Sequence, residues 1–313
     1  MMTDAVIIGN SNNDNNKPTW VSICGNETLK VLNKKFPDND EAQNKIRKDS
    51  QEIIQKCIDP NGENQKNGLL VIGKVQSGKT LSFTTVTSLA ADNNYKFIIV
   101  IAGITDTLRD QTVDRLTTDL GITALGKFSL YMEPTEYEEG FEYRVKDDST
   151  IIVVIKKHKT HIDNLKKLFQ RIFPQGCEEP TLIIDDEADQ ASLNTYASKG
   201  EPDETSATYQ SLTNLKNSFK KMTYLQYTAT PQANLLINTM DEMSADDAYV
   251  LEPGDKYIGC DELFNRSSQT ISLISMDDIQ LIEENGTPES LRKALLTFYL
   301  GLSEHLLNIK NRQ

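Results

Sequence analysis

Long apolar runs are missing from this chain, and their absence excludes a membrane-spanning helix. The first residues, Met1 to Lys17, are polar and rich in asparagine, without the apolar centre a secretory signal needs. Cysteine is scarce: Cys24, Cys57, Cys177 and Cys260 are scattered through 313 residues with no Cys-x-x-Cys pair. Neither a disulfide framework nor a zinc site follows from such spacing, so the cytoplasm is the expected compartment. Histidine is scarcer still, at three, and His158 and His161 are too few for a metal site and read as surface residues. Basic charge is also short. Lys and Arg number 33 against 46 acids, a net charge of −13. That balance argues against indiscriminate binding to nucleic acid but leaves room for a local basic strip. Apolar content of 38% and charged content of 25% suit a globular protein with a substantial core. The length suggests about two domains.

What is present is an alternation of strand and helix signals. Apolar runs at 69–72, 97–102, 151–155, 181–185 and 224–228 are short and mostly β-branched or aromatic, with Gln226 the main interruption. Such runs suit strands buried on both faces of a mostly parallel sheet with helices between them, an α/β fold. A helix is expected over roughly 38–59, capped by Asp38 or Asn39, with Ile46, Ile53, Ile54 and Cys57 on one side. Leu291, Leu295, Phe298, Leu302, Leu306 and Ile309 keep helical spacing from about 288 to 310. Residues 133–148, 193–210 and 241–262 are acidic or polar and read as surface loops or the opening of a separate segment. There is no internal repeat.

The most informative string is Val71-Ile72-Gly73-Lys74-Val75-Gln76-Ser77-Gly78-Lys79-Thr80. It carries the full spacing of a phosphate-binding loop, preceded by a strand signal and followed by a helical pattern from Leu81 to Ala91. Backbone N–H groups of such a turn converge on phosphate oxygens, and the following helix points its positive end at them. Gly73, Gln76, Ser77, Gly78, Lys79 and Thr80 are the expected nucleotide-binding residues. Lys79 would reach the β/γ-phosphates and the Thr80 hydroxyl would ligate Mg²⁺. About a hundred residues later, Leu182-Ile183-Ile184-Asp185-Asp186-Glu187-Ala188-Asp189 is an apolar strand ending in carboxylates. Asp186 is assigned to Mg²⁺ and Glu187 to the attacking water, with Asp189 linking onward; Asp185 leaves the register open by one.

Three further segments complete the set. Tyr227-Thr228-Ala229-Thr230-Pro231 follows a strand and resembles the third motif of superfamily-2 helicases, a resemblance that makes the Thr228 and Thr230 hydroxyls candidates for coupling the γ-phosphate site to the acidic motif. Ala102-Gly103-Ile104 leading to Leu108-Arg109-Asp110-Gln111-Thr112, a strand end feeding a helix, resembles the first nucleic-acid-contact motif of those helicases; the resemblance makes Arg109 and Gln111 candidate nucleic-acid contacts, with a plain amphipathic helix start as the equal alternative. From Lys156 to Arg171 the chain is basic. A solvated helix face is the commoner meaning of such a run. Lys156, Lys157 and Lys159, just past a strand on the sheet edge where ligands sit, are nonetheless assigned to backbone phosphates.

Taken together, Gly73 to Thr80, Ala102 to Thr112, Ile183 to Asp189 and Tyr227 to Ala233 resemble the Z-one domain family of superfamily-2 helicase-like ATPases, over roughly residues 40–310. The resemblance implies a RecA-like P-loop lobe that uses ATP and Mg²⁺, has nucleic acid (DNA foremost) as partner, and works in bacterial restriction or phage defence. It also implies a second RecA-like lobe in cis or trans and a nuclease or methyltransferase partner. The expected layout is a disordered tail (1–18), an N-terminal helical segment (19–65), the lobe (66–240), and an acidic linker with a helical segment leading to the missing lobe (241–313). The chain is thus expected to be a fragment or split subunit, weakly active alone. An ATP-controlled switch without strand movement is the alternative, and a metal-dependent nuclease built on Asp185, Asp186, Glu187 and Asp189 ranks last.

Overall fold

The computed structural model describes residues 20–75, 77–124, 126–190, 207–235, 241–254, 257, 259, 276–283 and 286–310. The expected disordered tail, Gln76 and most of the 193–210 loop therefore lie outside the described residues. Two compact units are present, divided after Tyr257.

The first unit is built on a parallel sheet of seven strands: β1 (Lys66–Gly73), β2 (Phe97–Ala102), β3 (Phe128–Met132), β4 (Thr150–Lys156), β5 (Thr181–Asp186), β6 (Met222–Thr228) and β7 (Asp247–Leu251). Their spatial order is β3-β4-β2-β5-β6-β1-β7. This is the expected α/β lobe, with every pairing among the described residues parallel. The five apolar runs become β1, β2, β4, β5 and β6, and each is covered on both faces. In β2 the alternation splits the strand cleanly. Ile98, Val100 and Ala102 enter one core cluster with α1 (Asn26–Lys35), α2 (Asp40–Lys56) and α3 (Lys79–Asp92). Phe97, Ile99 and Ile101 enter the other with α6 (Lys159–Ile172) and α7 (Ala207–Lys216). The second cluster is aromatic at its centre, where Phe169 lies 4.9 Å from Phe97 and 4.7 Å from Phe219, edge to face.

Local chemistry explains where the helices begin. Asn39 caps α2 by accepting from the Ala42 N–H at 3.0 Å, one of the two caps expected. Thr105 caps α4 (Asp106–Leu120) through Leu108 N–H, and Gly121, at φ +62°, ends it. α1 has no side-chain cap of its own; Asp92, at the end of α3, accepts from the N–H groups of Gly25, Glu27 and Thr28 instead. α5 (Phe141–Lys146) is a single short helix inside the acidic stretch 133–148, anchored by buried Phe141.

Two strands have no counterpart in the sequence pattern. β3 pairs with β4, and β7 pairs with β1 from within the acidic stretch beginning at 241. The sheet thus extends past residue 240, and the first unit continues to Tyr257. β7 is a short edge strand, half-exposed and flanked by acids, so its apolar signal is weak. α8 (Gln232–Leu235) follows β6. The second unit contains α9 (Met276–Glu283) and α10 (Glu289–Lys310), whose first N–H groups donate to the Asp278 carboxylate. The helix expected near 288–310 is α10.

Candidate functional site

The C-terminal ends of β1, β2, β5 and β6 meet on one edge of the sheet, where a cavity of about 780 Å³ opens. Gly78, Lys79 and Thr80 from the β1–α3 loop line it, opposite Asp186, Glu187 and Asp189 from the end of β5 and Thr230 from the end of β6. Residues far apart in sequence are neighbours because β1 and β5 sit either side of β6. That is also why a strand-order argument is needed: the acidic motif reaches the loop across the sheet, not along the chain.

The loop has the features of a phosphate cradle. Gly78 adopts φ +97°, a conformation that any Cβ would strain, and caps α3 with no side chain in the way. A Cβ on Gly73 would sit 2.9 Å from Lys79 Cγ and 3.1 Å from Ser77 Oγ, so any side chain there would displace the Lys79 or Ser77 side chain. Lys79 Nζ donates to the carbonyls of Gly73 and Lys74 at 3.3 and 3.1 Å. Burial pushes the Lys79 ammonium below its ordinary value, and the Asp186, Glu187 and Asp189 carboxylates pull it back up. Ser77 Oγ is buried with no hydrogen-bond partner among the described residues. Such an orphan hydroxyl beside converging N–H groups and an ammonium suits an anionic ligand. The hydroxyl of Thr80 and the carboxylate of Asp186 are hard oxygen donors that both line the cavity. They fit a Mg²⁺ that takes its other ligands from water and phosphate.

The acidic run divides sharply. Asp185 is fully buried and turned away from the loop: its carboxylate pairs with Lys157 Nζ at 2.7 Å and accepts from the Tyr224 hydroxyl. Asp186 and Glu187 face the cavity. Burial, with the Glu187 charge beside it, raises the Asp186 carboxyl above its ordinary value. Glu187 itself sits at φ +54°, a left-handed conformation that a non-glycine residue rarely adopts. Its N–H donates to Asp186 Oδ1 at 3.1 Å. Next, Asp189 accepts from Thr228 Oγ1 at 2.7 Å and Thr230 Oγ1 at 2.6 Å. Burial works to raise the Asp189 carboxyl, and the Thr230 and Thr228 hydroxyls outweigh it, holding it below the usual range. The structure thus brings the expected coupling residues into one hydrogen-bonded unit.

A family model described as type III restriction enzyme, res subunit, matches residues 42–233, more than half of the chain. The chain belongs to this family. Its matched span takes in the loop, the acidic motif and the Thr-Ala-Thr segment, and it makes this res-family chain a helicase-like ATPase domain. The narrower Z-one assignment stays a resemblance. No curated protein matches the chain. Among solved structures it is similar to the DUF1998 helicase MrfA bound to DNA and AMPPNP, at 13% identity and a TM-score of 0.43 over 75% of this chain and 30% of that one. It is also similar to a DEAD box protein from the hyperthermophile Methanococcus jannaschii (18%, TM-score 0.41, 74% and 56%). The UvsW helicase from Bacteriophage T4 is a third (13%, TM-score 0.37, 72% and 77%). These likenesses are distant, and the chain spans under a third of MrfA and just over half of the DEAD box protein.

The expected nucleic-acid contacts fare differently from the loop residues. Lys157 is a correction: it is buried, with its ammonium on Asp185, and cannot reach a phosphate backbone. The Arg109 guanidinium is held by Glu133 at 2.7 Å, Asp110 at 2.8 Å and Asp106 at 2.9 Å. Lys156 pairs with Asp106 at 2.7 Å. Gln111 lines the loop cavity, and of the four basic candidates only Lys159 stands exposed with no ion pair among the described residues. Lys35, Arg115, Asp119 and Gln190 also line the cavity without having been singled out in the sequence. Arg115, on α4, donates to Thr80 Oγ1 at 3.3 Å, and its closeness to the loop depends on how α4 packs beside α3.

Proposed function

We propose that this res-family chain is the ATP-binding first motor lobe of a nucleic-acid-dependent ATPase or translocase serving bacterial restriction or anti-phage defence. The observation that carries the reading is the shared cavity in which Lys79, Thr80, Asp186 and Glu187 converge. The loop N–H groups and Lys79 hold the β/γ-phosphates, with Gln76 and Ser77 completing the cradle. The Thr80 hydroxyl and the Asp186 carboxylate would hold Mg²⁺, which would neutralise charge on the phosphates of bound ATP. Glu187 orients the attacking water and accepts its proton. Asp189, bonded to Thr228 and Thr230, passes the state of the γ-phosphate site to the β6 tip. A second RecA-like lobe and a nuclease or methyltransferase partner complete the proposed machine.

A second reading, an ATP-controlled switch that moves no strand, is favoured by the carboxylates that pair with Arg109 and Lys156. Phosphate release from Mg²⁺·ATP, with and without single-stranded DNA, separates the two. Stimulation by DNA supports the motor. Turnover indifferent to DNA supports the switch, and no binding of Mg²⁺·ATP by calorimetry overturns both.

A further inference from the structure

The fully buried ammonium of Lys157 forms an ion pair with Asp185 Oδ1 at 2.7 Å and donates to two carbonyls, that of Asp186 at 2.9 Å and that of Glu187 at 2.8 Å. Both carbonyls belong to the turn that presents the acidic motif, where Glu187 is held at φ +54°. A left-handed glutamate persists only where its surroundings over-determine it. The Glu187 carbonyl also accepts from Gln190 N–H at 2.8 Å, and Ala188 N–H donates to the Tyr227 carbonyl at 2.9 Å, so the turn is pinned from three sides. Meanwhile the Lys157 N–H donates to the carbonyls of Ala102 and Gly103 at 3.2 and 3.0 Å, at the tip of β2.

Stability alone does not account for this arrangement. A buried ion pair can often be exchanged for apolar residues of similar volume with no loss of stability. What an apolar pair could not supply is two bonds to the carbonyls of the acidic turn. We propose that Lys157 is a positioning residue: it fixes the backbone of Asp186 and Glu187 in the geometry used for ATP hydrolysis and ties that turn to the tip of β2. The proposal rests on the ATPase reading for its functional half. Its structural half, the holding of the turn, stands on the two carbonyl contacts.

The test compares two variants that both remove the buried charges. Lys157→Met with Asp185→Asn deletes the donors to the carbonyls; Lys157→Gln with Asp185→Asn keeps an N–H₂ donor on a side chain one bond shorter. Circular dichroism reports the fold, and amide hydrogen exchange reports the turn. In the Met pair, exchange at Ala188 and Gln190 is expected to quicken about tenfold while β4 and β5 stay protected, with the Gln pair near wild type. Turnover in the Met pair is expected to fall about 10- to 100-fold, as when outer-shell partners of a site are removed. KM should change little, and the Gln pair should recover part of the loss. Wild-type exchange and turnover in the Met pair would overturn the proposal, as would failure of both pairs to fold, which makes Lys157 a core requirement only. A wild-type chain that does not bind Mg²⁺·ATP would end the ATPase reading, yet the exchange comparison would still decide whether Lys157 holds the turn.

Discussion

At the scale of single residues, the acidic run shows how neighbouring carboxylates acquire different tasks. Asp185 points into the core on Lys157 and Tyr224, while Asp186 and Glu187 open onto the loop. Replacing Lys79 with Ala is therefore expected to abolish nucleotide affinity and leave the fold intact, checked by calorimetry beside circular dichroism. Glu187→Gln should keep Mg²⁺·ATP binding and block turnover, because an amide preserves shape but cannot accept a proton. Asp186→Asn should weaken the Mg²⁺-dependent part of binding. Asp185→Asn should instead cost about 3 kcal/mol in denaturant unfolding, since it strips one partner from a buried pair. If Asp185→Asn lowered Mg²⁺-dependent binding with no loss of stability, the assignment along the run would be off by one. All of these residue types were legible in the sequence. Their directions were not, because successive strand residues face opposite sides of the sheet and only the pairing partners say which side is the core.

Among the elements, the β5–β6 link makes a pH-dependent prediction. The folded Asp189 carboxyl lies below its ordinary value, so its contribution to stability is present above the unfolded carboxylate range, near about 4. It is lost as pH falls through the lower folded value. Removing both hydroxyls with Thr228→Val and Thr230→Val should lower stability near neutral pH and flatten its loss on acidification, measured as urea midpoints between about pH 3 and pH 6. An unchanged acid limb would show that the hydroxyls are not what holds Asp189 down. The helices differ in how firmly they bear on the core. Phe169→Ala on α6 should cost about 3–5 kcal/mol, because its ring packs against Phe97 and Phe219 with no exposure. Phe298→Ser on α10 should stay within about 0.5 kcal/mol, its ring being 64% exposed. The two helices have comparable apolar spacing in sequence, so the contrast comes from what the fold sets against each.

For the whole molecule, charge decides how nucleic acid would be met. The chain carries −13 overall, and Arg109 and Lys156 on the β2–β4 edge are already paired with acids. If the edge holds a phosphate backbone, Lys156→Ala with Lys159→Ala should weaken binding equally for any sequence. It should also flatten the salt dependence by about one unit of slope for each phosphate no longer neutralised. Fluorescence anisotropy with labelled single- and double-stranded DNA at several salt concentrations reads both. Slopes identical to wild type would retire the edge as a nucleic-acid surface and leave the ATP site untouched. Lys157 is left out of this pair because its removal would disturb the acidic turn.

The sequence by itself determined the parts whose chemistry is local. A glycine-rich loop with Gly78-Lys79-Thr80, β-branched strands and a carboxylate-tipped β5 announce themselves because each depends on residues within a few positions of one another. The family and the parallel α/β lobe follow from those parts and their order. Only the tertiary structure decided the rest. β3 and β7 exist as strands because β4 and β1 offer them free edges, which no local pattern records. Arg115 reaches Thr80 because α4 lies beside the loop. Lys157, read in sequence as one member of a basic surface run, is drawn into the core because the end of β5 supplies a carboxylate and two carbonyls to its ammonium. A charged residue's surroundings are set by strands far away in the chain, and it is those surroundings that decide whether it faces water or fixes a turn.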